Sequence, residues 1–366
     1  MTALPTRKLE AWHYTDLRAL SAISFAPPSR LTQTSDLPDL PFARAIFLNG
    51  VESQAHAIPS PYFKPYAPSV RDDEQPLAQI NAQNTHGGLT IEVPAGENAD
   101  DILLISEAKA DEAFAFHLRH RIKLAENASL TLIELNKGEG VYWQNSVFEI
   151  ELGAGARFKH FRLQQESVEA FHTANLYADI AQDAAYEHFT LTLGARLSRS
   201  EIEANLLGEC ALAHLNAAQL LGGTQHGDFT SIIRHKAPSC PSRQTVKSVL
   251  AGKARGVFQG KVEVDQIAQK TDGYQMSQAL LLSPYAEMDI KPELQIFADD
   301  VKCSHGATIG ALDEEQVFYL RSRGIPEADA RQILIRAFLE EALEPVTHGA
   351  ARALFESALE SWWSRQ

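Results

Sequence analysis

The segment Leu124-Ala-Glu-Asn-Ala128-Ser-Leu130-Thr-Leu-Ile-Glu-Leu135 decides the fold. Its second half alternates apolar and polar side chains, the period of a β-strand with one face buried. Its first half carries a leucine followed four residues later by an alanine. That pair recurs at Leu152/Ala156, Ile180/Ala184, Leu207/Ala211, Leu250/Ala254 and Leu282/Ala286, and the first four starts lie 28, 28 and 27 residues apart. Each instance leads into another alternating run, such as Phe158-Lys-His-Phe-Arg-Leu163. A fixed period with a small residue at each turn marks a solenoid, whose repeats bury their apolar faces against one another. An antiparallel sandwich also has alternating strands, but it turns about every 8–12 residues. The reading is therefore mainly β, a β-helix or stacked β-solenoid. The spacing widens to 43 between Leu207 and Leu250 and to 32 between Leu250 and Leu282. Loop insertions are expected there, one holding Gly222-Gly-Thr-Gln-His-Gly227 and the turn from Pro238 to Pro241.

Different textures flank this core. Before it, Leu9, Trp12, Leu17 and Leu20 are candidate anchors of short helices. Prolines recur between Pro27 and Pro76 and break long elements, leaving room for a short strand from Ala45 to Leu48. After it, Asp313 with Gln316 reads as a capping box, Gly324 as a helix stop and Pro326 as the first residue of the next helix. Ala330, Ile333, Leu334, Ala337 and Phe338 share one helical face. Ala351, Leu354, Phe355, Ala358, Leu359 and Trp362 share another. These helices are expected either to cover the open end of the solenoid or to dock a partner, with Trp362-Trp363 available for the latter. The expected organisation is a helical, loop-rich N-terminal subdomain over 1–85, a β-helix core over 86–312 and a C-terminal helical subdomain over 313–366.

Composition narrows the function. The 366 residues are 45% hydrophobic and 22% charged, with a net charge of -14. That charge repels phosphate backbones and anionic lipid, so neither nucleic acid nor a membrane is expected as a main partner. No apolar run reaches membrane-spanning length and the N-terminal stretch has no apolar signal region, so a cytosolic location is expected. Cys210, Cys240 and Cys303 have no C-x-x-C spacing and fit reduced thiols.

The chemically richest stretch is Asp299-Asp-Val-Lys-Cys303-Ser-His305-Gly-Ala-Thr-Ile-Gly310. On a strand, Val301, Cys303 and His305 point one way and Lys302 and Ser304 the other. Thiolate and imidazole are suitable ligands for iron or an iron-sulfur cluster, and an adjacent imidazolium would lower the thiol pKa. Two ligands do not close a four-coordinate site. The others would come from Asp299, Asp300, another histidine or a second protein. Against this stands the plain alternative of Cys303 as a small buried hydrophobe and His305 as a hydrogen-bonded turn residue.

Asp299-Asp300 could form the carboxylate pair of a polysaccharide-cleaving β-helix. Adjacent residues on a strand face opposite ways, which favours a turn-capping role. His226 and His235 flank an expected insertion and read as ordinary polar groups or metal neighbours. Cys210, in a strand pattern, and Cys240, in a proline-rich turn, read as structural, and Lys302, Arg321 and Arg323 as solubilising or ion-paired. Gly252-Lys253 and Gly260-Lys261 are followed by Ala254 and Val262, so no P-loop is present.

The stretches Ala268-Gln-Lys-Thr-Asp-Gly-Tyr-Gln275, Leu280-Leu-Leu-Ser283, Pro292-Glu-Leu-Gln-Ile-Phe-Ala-Asp-Asp-Val-Lys-Cys-Ser-His-Gly-Ala-Thr308 and Phe318-Tyr-Leu-Arg-Ser-Arg-Gly-Ile325 resemble the shared C-terminal core of the SufB/SufD family of iron-sulfur cluster assembly scaffolds. Glu10-Ala-Trp-His-Tyr-Thr-Asp-Leu17 is similar to the signature that opens SufD chains. His13 stands where that signature usually has a basic residue, and Met276 replaces a usual asparagine.

The resemblance implies a right-handed parallel β-helix flanked by helical segments. It implies a non-enzymatic subunit that pairs with SufB through the β-helices and engages the SufC ATPase through the C-terminal helices. A nascent cluster or iron would be held transiently at the SufB interface, where His305 matches the proposed ligand and Cys303 its neighbour. SufC turnover would act through the terminal helices to move the paired β-helices. Separately, because an apolar β-helix edge left unpaired would be a liability, the isolated chain is expected to form a homodimer by imitating the SufB contact. Rival readings are the cluster-bearing SufB-type paralogue, a β-helix polysaccharide lyase or hydrolase, and an interaction module without a metal role.

Overall fold

The computed structural model describes residues 3–29, 31, 34, 37–66 and 75–363. Strands begin with β1 (Ala43–Leu48), β2 (Val51–Ile58), β3 (Phe63–Lys64), β4 (Thr90–Val93), β5 (Ile102–Lys109) and β6 (Phe114–Leu124). They continue with β7 (Ser129–Glu139), β8 (Tyr142–Leu152), β9 (Arg157–Gln165), β10 (Phe171–Ile180), β11 (Ala185–Thr192), β12 (Leu197–Leu206) and β13 (Leu212–Leu221). The last are β14 (His226–His235), β15 (Pro241–Leu250), β16 (Arg255–Val264), β17 (Asp272–Leu281), β18 (Glu287–Ile296) and β19 (Lys302–Gly310). Helices α1 (Arg18–Ser21) and α2 (Pro76–Asn84) precede the main stack, and α3 (Glu314–Ser322), α4 (Glu327–Leu343) and α5 (Gly349–Trp363) follow it.

Strands alternate between two sheets. One has ten strands in the order β19-β17-β15-β13-β11-β9-β7-β5-β1-β2, and the other nine in the order β18-β16-β14-β12-β10-β8-β6-β4-β3. Among the described residues only β1/β2 and β3/β4 pair antiparallel, and every later pairing is parallel. The product is a parallel β-solenoid of about eight turns with helices at its ends of sequence. The strand expected at 45–48 is β1, already hydrogen-bonded to β5. The segment expected to be helical and loop-rich up to residue 85 thus supplies the first strands of both sheets.

Small residues set the corners. Ala128, Ala156, Ala184 and Ala211 are fully buried, each one residue before a strand of the ten-stranded sheet. Cys240 occupies the same place before β15 and is also fully buried. Ala254 and Ala286 instead precede β16 and β18, at the opposite corner. The expected insertion after Leu207 is therefore corrected: the alanine marker changes corner, and the wide gap is one and a half coils. Residues 222–225 and 238–240 fall at ordinary turns between strands, and His226, Gly227 and Pro241 open the strands that follow. Cys210 does not lie in a strand. It sits in a turn with φ 58°, in line with Asn127, Asp183, Ser239 and Lys270, which have the same left-handed backbone. Their amides bond one coil onward, as Cys210 N–H does to Pro238 O at 3.2 Å.

The main core lies between the sheets, from Ala45 and Phe47 through Phe116, Leu132 and Tyr186 to Val246 and Phe258. Both outer faces are partly covered. Trp12, Leu17 and Leu20 pack with Leu77, Trp143, Phe171 and Leu197 over the nine-stranded sheet, whereas Leu9 is exposed. Ile335, Leu339, Leu343, Phe355 and Trp362 pack against Ile105, Phe161, Phe189 and Leu220 on the ten-stranded sheet. Helices α4 and α5 therefore lie along a sheet face, not across the open end, because the outward phase of these strands is itself apolar. Within α4 the buried face includes Ala330, Ile335, Leu339 and Leu343, leaving the expected face residue Ile333 exposed. Asp313 caps α3 by accepting from Glu315 N–H, and Gly324 follows with φ 89°. Pro326 is the N-cap of α4, not its first helical residue.

Candidate functional site at the open end of the solenoid

Among the described residues, strand β19 ends the ten-stranded sheet and pairs only with β17, while β18 ends the other sheet. In β17, Gly273, Gln275 and Ser277 are buried and the intervening residues are not, which fixes the inward phase. Cys303 lies opposite Gly273 and His305 opposite Gln275. In-register parallel strands keep side-chain direction from coil to coil. Cys303 and His305 consequently share the inward face at the mouth of the lumen, as their spacing predicts.

Their surroundings differ. Cys303 is half-buried beside Val262, Val264, Ala268, Leu294, Ala298 and Val301. Burial pushes its thiol up, the nearby Gly273 N–H opposes this, and the Asp272 charge adds to it. The expected lowering by an imidazolium is not among these causes; desolvation of the thiolate sets the direction. His305 is exposed.

Asp299 and Asp300 occupy the exposed bend before β19. The Asp300 carbonyl accepts from Lys270 N–H at 2.6 Å, and its N–H donates to Gln269 Oε1 at 2.9 Å. These contacts tie the turn to the preceding coil. His226 is 2.9 Å from Thr15 Oγ1 on the outer face, and His235 Nε2 is 2.9 Å from Ser242 Oγ. Burial lowers both histidines, His235 to about 4. Arg321 pairs with Glu327 at 3.3 Å, and Arg323 stacks 5.2 Å from the Tyr319 ring centroid. Among the described residues no three His, Cys, Asp or Glu side chains converge as a metal cage. Cys303 and His305 offer two donors at an edge, and two donors alone leave a tetrahedral centre half-made.

The pattern of alternating strands also concealed a polar cluster inside the lumen. Glu134 accepts from Arg162 Nε at 2.8 Å and lies 2.9 Å from His160 Nε2, all three being buried. Burial pushes the Glu134 carboxyl up, but Arg162 and the hydrogen bonds from His160 and Asn136 prevail and hold it well below the usual range. Arg162 also stands 5.3 Å from the Phe148 ring centroid. The signal was available in charged residues at inward positions of Leu130–Leu135 and Phe158–Leu163.

The family model described as the SufBD core domain of SUF system FeS cluster assembly matches residues 105–338. The chain is 34% identical to the iron-sulfur cluster assembly protein SufD of Escherichia coli (strain K12), over 94% of its own length and 85% of that protein. It is 31% identical to the iron-sulfur cluster assembly SufBD family protein slr0076 of Synechocystis, over 94% and 84% of the two chains. It is 29% identical to the chloroplastic protein ABCI7 of Arabidopsis thaliana, over 94% and 79%. The matched region contains the coils from β6 to β19 and the helices α3 and most of α4, so the chain with its open-ended solenoid belongs to the SufB/SufD family of iron-sulfur cluster assembly proteins.

Proposed function

We propose that this chain is a non-catalytic, cytoplasmic scaffold subunit of a SufB-SufC-SufD type complex. A SufB-type partner pairs with the end formed by β18 and β19, and His305, with Cys303 beside it, contributes to holding iron or a nascent cluster at that junction. The supporting observation is the placement of these two donors on the lumen face of a strand with an unpaired edge. An unpaired edge is completed by another strand, which brings further ligands from a second chain. Exposed Phe297 and Ile309 add apolar surface there. In isolation the same edge supports pairing between two copies.

The SufC ATPase docks on the C-terminal helices, where Phe318, Tyr319 and Ile333 are 70%, 57% and 44% exposed. ATP turnover in SufC then shifts these helices against the sheet and alters the junction. The test is anaerobic reconstitution with iron and sulfide of the complex co-expressed with SufB and SufC, comparing wild type with His305→Ala by visible absorption. Loss of cluster from an intact complex supports the ligand role. Equal cluster content removes it.

A further inference from the structure

Gln275 is fully buried on β17, directly across the ladder from His305. Neither of its amide atoms has a hydrogen-bond partner among the described residues. An unsatisfied buried polar group is destabilising, and a side chain with two such atoms calls for a partner beyond the coils beneath it. One coil further in, Gln244 holds the same column position, and its Oε1 accepts from the Ser231 hydroxyl. Across the lumen stands Gly260. A Cβ there would lie 3.0 Å from Gln275 Nε2 and 3.1 Å from Gln244 Oε1, so the two amides converge on the space this glycine leaves. Neither amide end of Gln275 bonds Gln244 across that space, so its Oε1 is free to accept from the next residue of the column.

We propose that Gln275 is a positioning residue for His305: its Oε1 accepts from one imidazole N–H and holds the ring in a single tautomer. The lone pair of the other ring nitrogen is then presented to the open end. A second residue of this kind is what a metal-binding histidine requires to fix its ring and tautomer. Gln244, Gln275 and His305 hold one ladder position on β15, β17 and β19, and Ser231 of the facing sheet donates to Gln244 at its inner end. This inference rests on the reading of His305 as a ligand.

The test is ring-nitrogen NMR on the full chain labelled at histidine, with the His305 signals identified by their loss in His305→Ala. It is made without iron or partner. Wild type is expected to show two well-separated ring nitrogens, the signature of one fixed tautomer. Gln275→Met, close in shape but without hydrogen bonding, should collapse them toward an averaged pair, whereas Gln275→Glu, which keeps an acceptor oxygen, should retain the separation. Unchanged His305 signals in a folded Gln275→Met chain, or an averaged pair in wild type, overturn the proposal.

A second readout is iron affinity of the complex with SufB and SufC, expected to fall about 10–100-fold in Gln275→Met. If the tautomer is lost but affinity is unchanged while His305→Ala does weaken it, the positioning role fails. If His305→Ala also leaves affinity unchanged, the ligand reading fails and the tautomer result still decides whether Gln275 holds the ring.

Discussion

The ammonium group of Lys247 lies 4.6 Å from the ring centroid of Phe338. Lys247 stands on β15, buried beneath α4, and also pairs with Glu341 one turn further along that helix. The ring that looked like part of an outward docking face is therefore turned toward the sheet. A cation over an aromatic face, shielded from water, contributes about 0.5–2 kcal/mol. Phe338→Asp should loosen α4 and α5 from the solenoid, seen as rapid proteolysis after residue 313 with the β-core intact. Phe318→Ala, on an exposed ring of α3, should leave protease resistance unchanged and weaken SufC capture. If Phe338→Asp stays as resistant as wild type, the helices are held by other contacts.

Burial of neutral histidines makes stability depend on pH. His117, His120 and His235 are each lowered to about 4, chiefly by desolvation. In the unfolded chain a histidine titrates near 6.5. Between these values the unfolded state binds more protons than the folded one, so stability is full above about pH 6.5 and falls as pH drops toward 4. Each such group contributes a slope of about 1.4 kcal/mol per pH unit inside the window. Urea midpoints should fall steadily between pH 7 and pH 5. His120→Asn keeps an acceptor for Leu89 N–H, which His120 Nδ1 meets at 3.1 Å, and should show a shallower decline. A midpoint independent of pH in this window would sink the argument.

Among the anchors of the N-terminal segment, Trp12 is the largest. Trp12 is buried over the nine-stranded sheet, with the Arg199 guanidinium 4.1 Å from its ring centroid. Arg199 in turn is clamped between Glu201 and Asp228. Thr15 donates to the same Asp228. Trp12→Ala removes the ring from above a buried ion-pair network and should cost about 3–5 kcal/mol. Thermal melting checks the cost, and hydrogen exchange should show loss of protection over residues 9–21. A melting temperature within a degree of wild type would mean that the segment is not anchored here.

How far the sequence carried depended on which residues repeat. The corner alanines recur because a coil can stack on the next only if the turn is small, so Ala128 to Ala211 disclosed the solenoid and its period. The signal broke where Cys240 took the alanine's place, and an uninterrupted coil looked like an insertion. Cys303 and His305 were legible as a pair because strand alternation fixes their common face. Their position at an unpaired edge was not legible, since apolar patterning in α4 and α5 does not say whether a helix covers an end or a face. Glu134, His160 and Arg162 escaped notice because alternation marks polarity at single positions, and buried pairing emerges only when coils are stacked in register.

That same corner supplies a stringent test of the stacking argument. Cys240 is fully buried, and its Sγ lies 3.3 Å from Gly208 O and 3.4 Å from Pro238 O. Burial pushes its thiol up to about 11, so it behaves as a small neutral side chain and not as a nucleophile. If its role is that of the corner alanines, Cys240→Ala removes one atom and a weak hydrogen bond, at a cost of less than about 1.5 kcal/mol. Cys240→Leu must push the turn away from the coil above and should cost about 1–3 kcal/mol. Ala184→Leu, two coils earlier in the same column, should be penalised by a similar amount. Chemical denaturation of the three variants measures the ordering. A leucine tolerated at Cys240 but not at Ala184 would show that the corner is already relaxed at that coil, and that the cysteine is not standing in for the repeat's alanine.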